Sequence, residues 1–143
     1  MHVLAAAPAQ TADAVTALRL SLHVLAATIW VGGQFVVAGL LPTLRGIGGD
    51  APRKIARSFG LLAWPAFGVL IITGIWSFAA INHSGASNGW NAAFGIKMMM
   101  VLVSGIGVFL HTRAHSPKAR GIFAGVGALA SIIALILGVV ISG

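Results

Sequence analysis

The sequence predicts an all-α integral membrane protein, a four-helix bundle in which neighbouring helices run antiparallel. Three observations lead to this prediction. The 143-residue chain is 58% hydrophobic, its mean hydropathy is +0.98, and only 8% of its residues are charged. A typical soluble domain has about 25% charged residues, and a disordered chain needs low hydrophobicity with high charge. Cysteine is absent, which excludes disulfides and thiolate metal sites.

Four apolar segments are long enough to cross a bilayer, which takes about 20 residues of helix. They are residues 18–41, 58–81, 92–111 and 121–142, with bounds that are approximate. We expect the first segment to stop at Pro42, and Pro65 either to kink the second or to lie near its first turn. Because the connections are short, residues 1–143 form a single membrane domain.

The fourth segment opens with small residues at helical spacing. Gly121 and Gly125 are four residues apart, and Ala128 continues the same face. Small residues at this spacing let helices approach closely. We expect this face to pack within the bundle, with dimerisation through it, and hence a homo-oligomer, as the alternative.

Basic residues are concentrated in two of the three predicted connections. Seven of the nine Lys and Arg residues lie there: Arg45, Arg53, Lys54 and Arg57 after the first segment, and Arg113, Lys118 and Arg120 after the third. The positive-inside rule places both connections in the cytoplasm and both termini outside, with residues 1–13 as a short external tail. This topology explains the net charge of +7 without nucleic acid. The predicted partner is the lipid bilayer of the cytoplasmic membrane.

Polar side chains of the first and third segments each follow one narrow face. At 100° per residue, each set spans an arc of about 60°. The first stripe comprises Arg19, His23, Trp30 and Gln34, and the second comprises Lys97, Met100, Ser104 and His111. Because polar residues are costly in lipid, we expect the two stripes to face each other inside the bundle.

His23 and Lys97 are expected at similar depth. Each lies about five residues below the outer end of its segment, and Met98 and Met100 lie within a turn of that level. Ionisable residues in a membrane span suggest a functional site. The structural alternatives are a hydrogen-bonded histidine, a lysine that extends to the headgroups, and methionines that fill the core. For Arg19, just above His23, extension to the headgroups is the favoured interpretation.

His111 is expected at the cytoplasmic end, about 14 residues or roughly 20 Å from Lys97. His23 and His111 therefore cannot ligate one metal atom. A second ligand to a metal on His23 would come from Met100 or from His83 in the outer connection. The structural alternatives are an interfacial anchor for His111 and a solvated side chain for His83.

The run His23–Phe35, HVLAATIWVGGQF, resembles the first-helix signature of the copper resistance D (CopD) family. That signature reads Leu-His, small apolar residues, Trp-Val-Gly-Gly, and an apolar stretch ending near Pro and Arg, like Pro42 and Arg45 here. The segment Phe94–Lys97 is similar to the family's third-helix motif, an aromatic-Gly pair shortly before a Lys. The chain looks like a short, four-span member. Its His and Lys also resemble those of HemJ-type protoporphyrinogen oxidases, small four-span proteins thought to bind b haem.

The CopD resemblance implies copper binding or transport across the cytoplasmic membrane, in copper homeostasis or resistance. Cu(I) prefers soft and imidazole ligands, and the candidates are His23, His83, Met98, Met100 and His111. Gln34 and Ser104 would line the path between the two sides. The implied partner is a periplasmic or extracellular copper-binding protein. Two nearby cations, Arg19 and Lys97, oppose a cation site because no carboxylate offsets them.

The HemJ resemblance implies a b-haem or porphyrin-binding membrane redox protein. Arg19 and Lys97 would pair with propionates, His23 would be one axial ligand, and Met100 or no residue would be the other. We favour a protein that is not an enzyme. If it is an enzyme, we expect a haem-dependent membrane oxidoreductase. We rank copper first because the motif match is better, although the electrostatics alone favour haem. A third alternative is an accessory subunit whose polar stripe is only a hydrogen-bond network.

Overall fold

A computed structural model describes residues 11–142, and all regular secondary structure in that range is helical. Its four long helices are α1 (Ala14–Ile47), α2 (Ala51–Ala80), α3 (Asn88–Arg113) and α4 (Pro117–Ser142). Each is long and apolar enough to cross a membrane. The predicted all-α four-helix class is therefore confirmed, and the chain has the features of a multi-pass membrane protein. Most of the predicted external tail lies outside the described residues.

Short connections at residues 48–50, 81–87 and 114–116 give the bundle two chemically different ends. The basic end contains the first and third connections, with the seven Lys and Arg residues of the predicted loops around them. The neutral end contains the start of α1, the uncharged connection 81–87 and the end of α4.

The helices are longer than the predicted spans, most clearly α1. The prediction that α1 stops at Pro42 is wrong, because the helix continues through Pro42 to Ile47. It ends at Gly48 and Gly49, whose φ angles are 81° and 61°, a conformation that glycine adopts at little cost. A proline removes only one backbone N–H, which a long helix tolerates. α2 likewise runs without interruption through Pro65.

α1 contains a π-helical stretch, Thr28–Gly32, in its middle. The side-chain amide of Gln34 donates a 2.8 Å hydrogen bond to the carbonyl of Trp30 within this stretch. π-Helical turns inside α-helices are frequent at functional sites. Here the turn carries Trp30, whose side chain is only 2% exposed.

The helices meet as two antiparallel pairs, α1 with α2 and α3 with α4, and the second pair is the closer. A Cβ added at Gly107 would lie 2.8 Å from the Cα of Gly127, so the two backbones touch at this crossing. Gly121 and Gly125 instead face open space. The expectation that they pack within the bundle is therefore wrong. Gly127 lies about 200° around the helix from Gly125 and is on the opposite face.

The two pairs join through aromatic rings that fit against glycine. Trp30 of α1 packs on Phe67 of α2, with ring centroids 4.3 Å apart. The Phe67 ring also covers Gly105 of α3, where an added Cβ would lie 2.7 Å from the ring. Within the first pair, the ring of Phe59 on α2 lies directly against Gly33 of α1. The interior is thus filled by rings and small residues and has little room for added volume.

Large apolar side chains cover the outside of the bundle. Leu61 is 74% exposed and Val139 is 66% exposed, and many other Leu, Ile, Val and Phe side chains are similarly open. A soluble monomer rarely exposes so large an apolar surface. This surface fits contact with lipid.

We expect Gly107→Ala to destabilise the bundle, because the added methyl group would meet the backbone of Gly127. Overpacking of this kind costs about 1–3 kcal/mol. The measurement is the free energy of unfolding of the detergent-purified protein in an SDS titration followed by circular dichroism. Gly125→Ala is the matched control and should leave stability unchanged, since its methyl group meets nothing within 4 Å. Equal stability of the two variants would contradict the packing described.

Candidate functional site

One site draws on all four helices near the neutral end. The imidazole Nδ1 of His23 on α1 lies 2.7 Å from the hydroxyl of Thr73 on α2. The amine of Lys97 on α3 lies against α4 at Gly138, where an added Cβ would be 3.2 Å from Nζ. Both contacts lie near the neutral end, because Thr73 is seven residues before the end of α2 and Gly138 is four residues before the end of α4. We call His23, Thr73, Lys97 and Arg19 the His23 site.

The helix bounds place His23 and Lys97 at one level. Each lies nine residues after the first residue of its helix, Ala14 for α1 and Asn88 for α3. Since both helices start at the neutral end, both residues lie roughly 13 Å along their helices. Both side chains are half-buried, so the site is not sealed within the bundle.

Arg19 precedes His23 by one helical turn and is also half-buried. Its Nε is buried and has no hydrogen-bond partner among the described residues. A buried donor without an acceptor is costly, and a charged one more so. The side chain is therefore not simply extended into headgroup water, because this atom of it is enclosed by protein.

The two carboxylates of the chain are both engaged elsewhere. Asp13 caps α1 by accepting 3.0 Å hydrogen bonds from the backbone N–H groups of Val15 and Thr16. The bond from Thr16 is the main cause that holds the pKa of Asp13 below its usual value. Asp50 lies 3.3 Å from Lys54 at the basic end, and both are exposed. Neither carboxylate forms an ion pair with a cation of the His23 site.

The predicted polar stripes meet below the His23 site. Trp30 Nε1 donates a 3.0 Å hydrogen bond to Ser104 Oγ, joining α1 to α3. The two residues are 2% and 1% exposed, which confirms that the stripes face each other here. Trp64 closes the cluster, with its ring centroid 5.5 Å from that of Trp30. Gln34, predicted to line a path, instead bonds to the Trp30 carbonyl. Packed aromatic rings therefore lie between the His23 site and the basic end.

Two predicted histidine ligands are bound to backbone carbonyls away from His23. His111, at the basic end of α3, donates from Nδ1 to the carbonyl of Arg120 at 2.8 Å. His83, in the connection 81–87, donates from Nε2 to the carbonyl of Phe78 at 2.8 Å. Within residues 11–142, no three His, Cys, Asp or Glu residues gather to hold a metal ion.

The three consecutive methionines point in different directions. Met99 is 59% exposed on the apolar surface, whereas Met98 and Met100 are half-buried. As expected for a triple methionine on a helix, only two of the three thioethers turn toward the protein. Those two follow Lys97 within one turn of α3.

Aromatic rings enclose the neutral end of the bundle. The rings of Trp90 and Phe94 stack with centroids 5.3 Å apart, and Phe94 stacks on Phe78 of α2 at 4.7 Å. Trp90 Nε1 donates to the carbonyl of Ile141 on α4 at 3.3 Å. The indole predicted to anchor the start of the third span thus joins α3 to α4, and Phe94 joins α3 to α2.

Thr73 bonds directly to His23 but was not among the predicted site residues. The sequence contains one signal for it: Thr73 is a hydroxyl residue followed by a glycine in an apolar span that has no charged residue. The imidazole packs next to Gly74, where an added Cβ would make an ordinary van der Waals contact 3.8 Å from the Cε1 of His23. Gly138 was also missed, because nothing local to α4 shows that a lysine amine lies against it.

No family model matches the chain, and no curated protein or solved structure matches it either. A function must therefore be argued from the chemistry of the His23 site.

We expect Ser104→Ala to destabilise the bundle by roughly 1 kcal/mol, because the buried indole N–H of Trp30 would lose its acceptor. The free energy of unfolding in an SDS titration measures the effect. Ser131→Ala is the control: Ser131 is also buried, but its hydroxyl bonds only to the Ala128 carbonyl in its own helix. An equal loss in both variants would show that the bond between α1 and α3 contributes nothing specific.

Proposed function

We propose that the protein is a membrane redox protein that binds b haem, or a related porphyrin, at the His23 site. The observation that supports this proposal is that a histidine and two cations lie close in depth within the bundle. Among residues 11–142, the Nε2 of His23 has no hydrogen-bond partner and the cations Arg19 and Lys97, within about one helical turn of its level, have no counter-ion.

The cations favour a ligand that brings negative charge. The buried Nε of Arg19 lacks an acceptor, and Lys97 forms no ion pair among residues 11–142. An unpaired charge away from water is costly, and a charge-assisted hydrogen bond offsets that cost. The two acidic side chains act elsewhere, so a ligand that carries its own anions suits these cations. A porphyrin carries two propionate carboxylates, one for each of these side chains.

His23 is suited to ligate the iron. Its Nδ1 is bonded to Thr73, and Nε2 has no hydrogen-bond partner within the described part of the chain. Haem iron commonly takes a histidine nitrogen as its axial ligand. Met100 is the candidate for the second axial position, which otherwise stays open. When bound, haem supplies one-electron redox chemistry. The chain supplies the ligand atom, the two cations and the apolar surroundings.

Copper at the same place is the second candidate. Met98 and Met100 are half-buried beside Lys97, and Cu(I) accepts thioether and imidazole ligands together. The similarity of residues 23–35 to the CopD signature favours this function. In that case the protein would move or hold copper at the cytoplasmic membrane, with an external copper-binding protein as partner. We rank it second because no acidic side chain within residues 11–142 pairs with Arg19 or Lys97.

We also propose that the basic end faces the cytoplasm, so that both termini and the His23 site lie toward the outside. Seven Lys and Arg residues at one end, against an uncharged connection at the other, support this orientation.

We expect the detergent-purified protein from haem-replete cells to show a Soret band at about 410–430 nm. The substitution His23→Ala should abolish this band, because it removes the proposed axial ligand. The control is His115→Ala, since His115 is an exposed histidine in the connection at the basic end. It should retain the band.

Metal analysis of the same samples separates the two candidates. If the protein is colourless and contains copper that is lost in His23→Ala, the copper function is supported and the haem function is wrong. A colourless protein without copper would sink both functions.

We expect single cysteines at the two ends to differ in accessibility. The natural chain has no cysteine, so Ser84→Cys and Ser116→Cys each introduce one unique thiol. In intact cells, a membrane-impermeant maleimide should label the cysteine at position 84 and should reach position 116 only after permeabilisation. The reverse pattern would overturn the proposed orientation.

A further inference from the structure

The hydroxyl group of Thr73 has three hydrogen-bonding neighbours, and their chemistry determines which one receives its single hydrogen. The residue is 2% exposed. Its Oγ1 is 2.6 Å from the carbonyl of Val69, 3.3 Å from the carbonyl of Leu70 and 2.7 Å from the Nδ1 of His23. A carbonyl oxygen can only accept, so the shortest of these contacts is a bond donated by Thr73.

The hydroxyl must then accept a hydrogen bond from His23. A threonine hydroxyl has one hydrogen and two lone pairs, and the hydrogen is already directed at the backbone of α2. The nitrogen at 2.7 Å therefore carries the proton. A neutral imidazole has a single N–H, so Nε2 is left with a free electron pair.

The packing of the ring shows which way the other nitrogen faces. The Nδ1–Cε1 edge of the imidazole faces α2, where a Cβ at Gly74 would lie 3.8 Å from Cε1. Because Thr73 holds Nδ1, Nε2 lies on the side of the ring away from that hydroxyl. Histidines that bind metals almost always donate their other N–H to a nearby acceptor, which fixes the tautomer and the ring orientation.

We propose that Thr73 is a positioning residue that holds His23 in the Nδ1-protonated tautomer and presents Nε2 to a ligand with an electron-pair acceptor. With the proposed function, on which this role in ligand binding rests, that acceptor is the iron of the porphyrin. The hydroxyl also strengthens the imidazole as a donor, because a hydrogen bond from Nδ1–H raises the basicity of the ligand.

The hydrogen bond between His23 and Thr73 is not needed for the folding of α2. The hydroxyl of Thr73 already bonds within its own helix through Val69, a bond that threonines commonly make inside helices. Thr73→Val keeps the shape of the side chain and removes only the hydroxyl. Thr73→Ser keeps the hydroxyl and removes a methyl group. The two variants therefore separate the hydrogen bond from the packing.

The first experiment uses ligand-free protein in detergent, labelled with ¹⁵N-histidine, and reads the two ring nitrogens of His23 by NMR. The signals of His23 are assigned by their absence in His23→Ala. The wild-type protein and Thr73→Ser should show a protonated Nδ1 and a bare Nε2, whereas Thr73→Val should show a mixture of tautomers. A wild-type His23 protonated on Nε2, or an unchanged tautomer in Thr73→Val, would overturn the role of Thr73. This result does not depend on whether the protein binds haem.

The second experiment uses the haem-loaded protein. Loss of the hydroxyl should weaken the imidazole as a donor, so Thr73→Val should raise the midpoint potential and weaken haem retention, and Thr73→Ser should restore both. An unchanged potential in a well-folded Thr73→Val would contradict the proposed tuning of the ligand. Failure of the wild-type protein to bind haem would instead overturn the proposed function and leave the tautomer measurement valid.

Discussion

The bundle depends on one constraint: polar groups inside a bilayer must find partners within the protein, because lipid offers none. Trp30 and Ser104 satisfy each other across α1 and α3. His23 and Thr73 do the same across α1 and α2, and the hydroxyl passes its own hydrogen to a backbone carbonyl. These two bonds lie at different depths and hold α1 against both of its neighbours. The polar groups of the spans thus help to determine how the apolar helices are arranged.

Arg19 and Lys97 are the informative exceptions to this rule. Counting partners within residues 11–142, Arg19 has a buried nitrogen without an acceptor, and Lys97 places its amine against Gly138 of α4 without an ion pair. Desolvated charge of this kind is costly without a partner. The shortage of acidic residues, at first only a feature of composition, therefore has a chemical meaning at this site. It favours an anionic ligand over a bare metal cation and ranks haem above copper.

The His23 site forms only in one arrangement of the helices, and close packing at glycines stabilises that arrangement. The contact between Gly107 and Gly127 brings the backbones of α3 and α4 together, and the same helix pair brings Lys97 against Gly138. On the other side, the ring of Phe67 fits the surface of α3 at Gly105. Larger side chains at these glycines would separate the helices. The position of the lysine relative to His23 therefore depends on contacts far from either residue.

The sequence by itself determined the four apolar helices, the two basic connections and the stripes that meet at Trp30 and Ser104. These features follow from hydropathy and helical periodicity, which are properties of neighbouring residues. Only the tertiary structure decided that Thr73 bonds to His23 and that α4 packs through Gly127 rather than Gly125. The membrane-spanning part of α4 carries apolar residues on every face, so hydrophobicity does not show which face is buried. That choice depends on how closely distant backbones can approach, which only the assembled bundle determines.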